Sequence, residues 1–97
     1  MFFTANEILA EIARRAQDAR IHAGLRQKDL AEKAGVSLGT LRRFERTGDV
    51  GMETIVKVAI ALNKEREFLE LFPPSDPRSL DEVLRTAPKP ARVRVKL

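Results

Sequence analysis

Three arginines lie close together near the middle of the chain, at the spacing of neighbouring positions on a helix: Arg42, Arg43 and Arg46. An arginine side chain can pair bidentately with the O6 and N7 atoms of guanine, and it also binds phosphate oxygens. The alternative for an isolated basic run is an ordinary solvated helix face. The elements around the three arginines favour the first interpretation, in which the side chains bind a ligand.

The segment Gln27–Glu45 predicts two short helices joined by a tight turn. Gly35 stands where the first helix should end, because glycine adopts the left-handed backbone of a helix stop without strain. Ser37 is a good N-cap for the second helix. The apolar residues of both helices recur at helical spacing: Leu30, Ala31, Ala34, Leu41 and Phe44. The second helix would therefore expose its arginines while its other face returns to the core.

This segment resembles the Cro/cI-type (XRE) helix-turn-helix family of bacterial and phage regulators. The residues that match are Gln27, Leu30, Ala31, Gly35, Val36, Ser37, Leu41, Arg43, Phe44 and Glu45. With its flanks, the resemblance covers about residues 12–72. It departs at Arg26, where the family prefers a Ser or Thr N-cap, and at the turn 47–51, which lacks the usual proline. The resemblance implies an all-α fold, a five-helix lambda-repressor-like DNA-binding domain.

The resemblance also implies a set of DNA-binding residues: Gln27, Ser37, Leu38, Gly39, Thr40, Arg42, Arg43 and Arg46. We expect Arg43 to contact a guanine, and Arg42 to contact a phosphate or a neighbouring base. Arg46 is a phosphate candidate. Gly39 would allow close approach to the DNA backbone, since glycine is otherwise costly inside a helix.

The remaining expected contacts lie at the ends of the two helices. Gln27 would contact a phosphate and brace the recognition helix. Ser37 or Thr40 would bond a phosphate or a base, and Leu38 would pack on a thymine methyl group. A further pair, Arg20 and Glu45, resembles the family's structural ion pair between helices 1 and 3, so neither residue is expected to touch DNA.

The expected organisation is a helix-turn-helix domain over residues 1–72, a linker with a short helix over 73–87 and a basic tail over 88–97. The first helix is longer than in the family, because Thr4 and Glu7 form a capping box that starts it near Ala5. The other predicted helices are Gln27–Ala34, Leu38–Arg46, Met52–Leu62, Lys64–Phe72 and a sixth at Leu80–Arg85.

The charge of the chain is concentrated in its tail. The chain has 97 residues, a net charge of +4 and no cysteine, so it cannot form disulfides or thiolate metal sites. Four of its 18 Lys and Arg lie after residue 88, where there is no acid, and the rest are balanced by 14 Asp and Glu. The alternating segment Ala91–Leu97 is a disordered basic end, a strand paired across a dimer or an arm along the DNA; the sequence leaves all three open.

We expect a homodimeric repressor that binds a palindromic operator on double-stranded DNA, in the bacterial cytoplasm. The segment Glu67–Pro74, followed by the short helix and the basic tail, looks like HipB-type antitoxins, which would add a HipA-like kinase toxin as a partner. A regulator without a toxin and a protein-interaction module are the alternatives. No membrane segment, cofactor, metal site or enzymatic activity is expected, and the single histidine, His22, is interpreted as a surface or helix-end residue.

Overall fold

The structure is a computed structural model, and it describes residues 3–75 and 84–85. Five helices follow one another in this part of the chain: α1 (Ala5–His22), α2 (Gln27–Ala34), α3 (Leu38–Thr47), α4 (Met52–Ala61) and α5 (Glu65–Phe68). The predicted all-α, lambda-repressor-like fold is confirmed. None of the helices in the described ranges has the length and apolar character needed to cross a membrane.

The start of α1 is set by the capping box that the sequence predicts. The Glu7 backbone N–H donates to the Thr4 hydroxyl at 3.1 Å, and the Thr4 N–H donates to the Glu7 carboxylate at 2.9 Å. These two bonds satisfy backbone donors that have no partner inside the helix. The predicted bounds of α1 and α2 are both confirmed.

The core lies where α2, α3 and α4 meet. Its buried apolar side chains are Leu30, Ala31, Leu41, Phe44, Val58 and Ala61. They come from the apolar positions that recur at helical spacing, so each helix turns one stripe inward. Helix α1 packs mainly against α3, and α5 packs against α4. The core therefore holds α3 from its inner side and leaves its outer side to solvent.

Helix α5 is shorter than predicted. The sequence predicts a helix from Lys64 to Phe72, whereas α5 ends at Phe68. After it, the N–H groups of Glu70 and Leu71 donate to carbonyls only three residues earlier, which is the spacing of a turn and not of an α-helix. Phe72 has a positive φ of 49°. The proline at position 73 disfavours helical backbone at the residue before it, and the helix has already unwound at that point. Leu84 and Arg85 are helical, but the rest of the predicted sixth helix and the tail lie outside the described residues.

An apolar groove of about 730 Å³ separates α1 from α4 and α5. Its walls include Ile12 and Ala16 on one side and Ile55, Ala59 and Phe68 on the other, and its floor reaches the buried core. The domain thus remains open along one side, away from the exposed face of α3.

Candidate nucleic-acid interface

The turn between α2 and α3 is built as the sequence predicts. Gly35 ends α2 with a φ of 73°, a left-handed value. The Val36 N–H donates to the Ala31 carbonyl at 3.0 Å, which satisfies one of the last carbonyls of the helix. The Ser37 hydroxyl then accepts the Thr40 N–H at 3.0 Å and caps α3. The backbone therefore places the N-terminus of α3 at the surface.

A buried carboxylate ties α3 to the two helices before it. Glu45, whose side chain is 2% exposed, accepts hydrogen bonds from Arg20 on α1 at 2.8 and 3.2 Å. It also accepts one from the Gln27 amide, at the start of α2, at 2.9 Å. Arg20 in addition donates to the Leu25 carbonyl at 2.9 Å. The predicted structural pair is confirmed, and the network fixes α3 against α1 and α2.

Helix α3 divides cleanly into two faces. Leu41, Phe44 and Glu45 are buried, one turn apart on the inner face. The exposed face carries Gly39, Arg42, Arg43 and Arg46. Residues three and four apart are neighbours on a helix surface, so the three arginines form one continuous basic strip with Gly39 at its N-terminal end.

The cations of α2 and α3 have no acidic partner in the part of the chain that the structure describes. Five Lys and Arg of these two helices form no ion pair with any residue that the structure describes: Lys28, Lys33, Arg42, Arg43 and Arg46. All five are exposed. Unpaired cations on one structural unit attract a polyanion, because their charge is not neutralised locally.

The exposed arginines of α1, by contrast, are neutralised within the helix. Arg14 and Arg15 form ion pairs with Glu11 at 2.7 and 2.8 Å, and Arg14 also pairs with Asp18 at 2.8 Å. Hydrogen bonds from Arg14 and then Arg15 lower the pKa of Glu11 to about 2. The exposed part of α1 is therefore a poor surface for phosphate, in contrast to the five cations of α2 and α3 that form no ion pair with the described residues.

A second neutralised cation stands just before α2. Arg26 has no capping hydroxyl, so the Asp29 carboxylate accepts its backbone N–H at 3.0 Å and pairs with its guanidinium at 3.0 Å. These hydrogen bonds from Arg26 lower the pKa of Asp29. Asp29 pairs with Arg26 in this way, and it forms no ion pair with Lys33 four residues later.

Three of the predicted contact residues at the start of α3 are already engaged within the protein. The Ser37 hydroxyl donates to the Thr40 hydroxyl at 2.8 Å while it caps the helix, so its one donor is in use. Thr40 is half-buried and keeps its own hydroxyl hydrogen as a donor. Leu38 is half-buried and packs against the core, which leaves only part of its side chain for a ligand.

Gly39 and Gln27 occupy contrasting positions. Apart from the chain neighbours and the nearby backbone of α3 itself, no atom would come within 4 Å of a Cβ built on Gly39, so this position faces open space on the outer side of α3. Gln27 is half-buried, and one amide hydrogen is directed to Glu45. Its second amide hydrogen has no bond among the described residues and remains available as a donor.

Arg43 is held by the chain that follows α3. Its Nε donates to the Asp49 carbonyl at 3.1 Å. The two terminal nitrogens of the guanidinium make no hydrogen bond with the described residues. Sequence reasoning did not anticipate this bond, because no residue pattern marks a side chain that bonds a backbone carbonyl across a turn.

Lys28 and Lys33 were also missed. Each has an acid four residues away, Glu32 and Asp29 respectively, and such pairs are usually interpreted as neutralised. The order Lys before Glu is the weaker of the two orientations, and Asp29 pairs with Arg26 instead. Arg26 was the feature of the sequence that could have revealed the unpaired Lys33, because Arg26 competes with Lys33 for Asp29.

Comparison with known proteins agrees with this geometry. Residues 17–69, more than half of the chain, match the sequence model of a helix-turn-helix family. A comparison with curated proteins found no match. The matched region begins inside α1 and ends just after α5, so it includes the turn, the buried network and the basic strip. The chain belongs to the helix-turn-helix family of Cro/cI (XRE) type.

Proposed function

We propose that this protein is a sequence-specific transcriptional repressor that binds a palindromic operator as a homodimer in the bacterial cytoplasm. The observation that carries the proposal is the group of five exposed Lys and Arg on α2 and α3 that form no ion pair with the described residues, whereas the exposed arginines of α1 are paired. Phosphate contacts supply most of the affinity of such proteins for DNA, and base contacts supply the sequence preference.

The basic strip of α3 supplies the base contacts in this proposal. Arg43 reads a guanine, and its two terminal nitrogens match the O6 and N7 acceptors. Arg42 and Arg46 bind phosphates on either side. Gly39 allows the backbone of α3 to approach the DNA closely, and the exposed part of Leu38 meets a thymine methyl group.

The phosphate contacts that flank the strip come from the ends of the helices. Gln27 donates its second amide hydrogen to a phosphate at the start of α2, where the helix dipole also favours an anion. Thr40 donates its hydroxyl hydrogen, while Ser37 contributes mainly as the cap. Lys28 and Lys33 extend the phosphate contacts along α2.

The homodimer is proposed to form through α5 and the residues around it. Large apolar side chains are exposed at this end of the domain: Ile60, Leu69, Leu71 and Phe72, the last 94% exposed. Leu71 also lines the apolar groove between α1 and α4–α5, and the other three residues are next in sequence to residues that line it. Large exposed apolar side chains near an apolar groove are typical of a protein interface. The early turns of α1, where Phe3 and Ile8 are exposed, are the rival surface.

Sedimentation equilibrium distinguishes the two surfaces. Phe72→Asp should convert the dimer to a monomer, whereas Phe3→Asp should leave it dimeric. A dimer that survives the first change and is lost with the second would assign the interface to the early turns of α1. A wild-type protein that is monomeric at high micromolar concentration would contradict a stable homodimer.

The further assignment as an antitoxin of a HipA-like kinase toxin rests on the resemblance of the segment after Glu67. A kinase-like gene directly beside this one, whose product co-purifies with the protein, is the expected observation. An unrelated neighbouring gene would favour a regulator without a toxin. The domain limits 1–72, 73–87 and 88–97 belong to the same proposal, with the basic tail adding long-range attraction to DNA.

Electrophoretic mobility shift with DNA from just upstream of the gene, or with duplexes selected from a random pool, tests the DNA-binding function. Arg43→Ala should weaken binding to the preferred duplex by about 5- to 150-fold, the value of one good bidentate contact. Arg14→Ala is the matched control, because it removes the same charge from α1, where Arg14 pairs with Glu11 and Asp18. It should change the affinity far less.

Two outcomes would count against the proposal. If Arg43→Ala retains the affinity and the sequence preference of the wild type, Arg43 is not the base reader. If the wild-type protein changes the mobility of neither duplex at low salt, a protein-interaction module becomes the better interpretation of its function.

A further inference from the structure

The turn that joins α3 to α4 contains a set of bonds that the DNA-binding proposal leaves unused. It begins at Thr47, and its third residue is Asp49, the residue whose carbonyl accepts the Arg43 Nε. This is the turn at which the sequence departs from its family by lacking a proline. The bond to Asp49 engages the Nε of the guanidinium, and the two terminal nitrogens make no hydrogen bond with the described residues.

The Thr47 hydroxyl connects the two ends of this arrangement. It donates to the Arg43 carbonyl at 3.0 Å and accepts the Asp49 N–H at 3.0 Å. The backbone of Arg43 and the backbone of Asp49 are thereby held at a set separation. The Val50 N–H closes the turn by donating to the Gly48 carbonyl at 3.0 Å.

The turn is also anchored from behind, by α1. Gly48 is buried and left-handed, with a φ of 76°. A Cβ built on it would lie 2.7 Å from the Leu9 carbonyl carbon and 2.9 Å from the Leu9 Cβ. Only a glycine permits this contact. Leu9 lies before residue 17, where the match to the family's sequence model begins, so the part of α1 outside the matched region supports the turn.

We propose that Thr47, together with Gly48, is a positioning residue for Arg43. The hydroxyl holds the Asp49 carbonyl in place, and that carbonyl orients the guanidinium before DNA arrives. An arginine that is already oriented loses less side-chain freedom when it pairs with a base, which favours the correct base pair over others. Arg42, exposed and without a hydrogen bond among the described residues, has no such support. The inference rests on the proposed role of Arg43 as the base reader.

Nuclear magnetic resonance of the arginine Nε–H groups in the DNA-free protein tests the positioning directly. The Arg43 Nε should be ordered, with an order parameter above about 0.6, and the Arg42 Nε should be mobile, with a lower value. Thr47→Val removes the hydroxyl at nearly constant volume and should make the Arg43 signal resemble that of Arg42. Thr47→Ser keeps the hydroxyl and should restore the ordered signal.

An Arg43 Nε in the wild type as mobile as that of Arg42 would overturn the proposal, as would an ordered signal that persists in Thr47→Val. This arm uses no DNA, so its result is independent of whether the protein reads the operator through Arg43. Circular dichroism of Thr47→Val and Thr47→Ser should show that both are folded.

Binding measurements then test the consequence for specificity. The base pair to examine is the one at which Arg43→Ala loses the sequence preference of the wild type. If there is no such base pair, Arg43 is not the base reader, but the nuclear magnetic resonance result on its orientation still holds. Thr47→Val should reduce discrimination at that pair several-fold and leave affinity for random duplex unchanged, since no charge is altered. Thr47→Ser should discriminate as the wild type does. An equal loss on specific and random duplexes would show a general structural role and overturn the proposal.

Discussion

Removing the buried carboxylate of Glu45 should strongly destabilise the domain. In Glu45→Ala the Arg20 guanidinium, which is 12% exposed, loses both of its bonds to the carboxylate, and Gln27 loses its acceptor. Breaking a buried ion pair by deleting one partner costs about 3–5 kcal/mol, because the other charge is left without compensation. Arg20 retains the Leu25 carbonyl and some contact with water, so we expect about 3 kcal/mol, the lower end of that range.

A loss of this size is easily measured by urea or thermal denaturation followed by circular dichroism. For a domain of this length it corresponds to a fall in Tm of about 12–24 °C. Glu11→Ala is the control, since Glu11 forms exposed ion pairs on α1, and its Tm should stay close to that of the wild type.

A double variant separates the loss of the pair from the burial of an unpaired charge. Arg20→Met combined with Glu45→Leu replaces both partners by apolar groups of similar size, which is often close to neutral. It should therefore recover most of the stability lost in Glu45→Ala. The reasoning is refuted if Glu45→Ala costs less than about 1 kcal/mol, or if the double variant is no more stable than the single one.

Four further outcomes are expected. Gly48→Ala should destabilise the domain clearly more than Gly24→Ala, because both have a left-handed backbone but only Gly48 is in contact with another helix; equal Tm losses would contradict this. Gly39→Ala should raise stability by about 0.5–1 kcal/mol and yet weaken DNA binding, and unchanged binding would remove the close-approach role. Deleting residues 88–97 should lower the slope of log K against log salt by up to about 3.6 if the tail follows phosphates, and an unchanged slope would exclude that role. Since Arg14 and Arg15 depress the pKa of Glu11 to about 2, the small stabilisation from these exposed pairs is complete above about pH 4.5 and disappears as the pH falls to 2; the Tm of Glu11→Gln should lie only slightly below that of the wild type at pH 7 and should equal it at pH 2.

Most of the fold was predictable because local signals agreed with the tertiary packing. The capping box at Thr4 fixed the start of α1, and the glycine at position 35 with the serine at position 37 fixed the central turn. Helix α5 was predicted too long, because the apolar spacing up to Phe72 suits a helix. Proline disfavours helical backbone at the residue before it, and two prolines follow Phe72. Helical periodicity cannot report where a terminus has unwound.

The site was predictable in composition but not in its internal bonds. The residue types on the exposed face of α3 follow from spacing alone. The double use of the Ser37 hydroxyl, the capture of Asp29 by Arg26 and the bond from Arg43 to Asp49 do not. Each of these bonds depends on which of several possible partners the side chain reaches in the folded protein. The spacing of residues in the sequence does not show which partner that is.

The division of α3 into two faces has an evolutionary consequence. The inner face carries the side chains that hold the domain together, and the buried network ends there at Glu45. The outer positions Gly39, Arg42 and Arg46 make no ion pair with the described residues and are not part of the core. Substitutions at these positions can therefore accumulate without unfolding the protein, and a descendant of this chain could acquire a changed preference among DNA sequences while keeping the same scaffold.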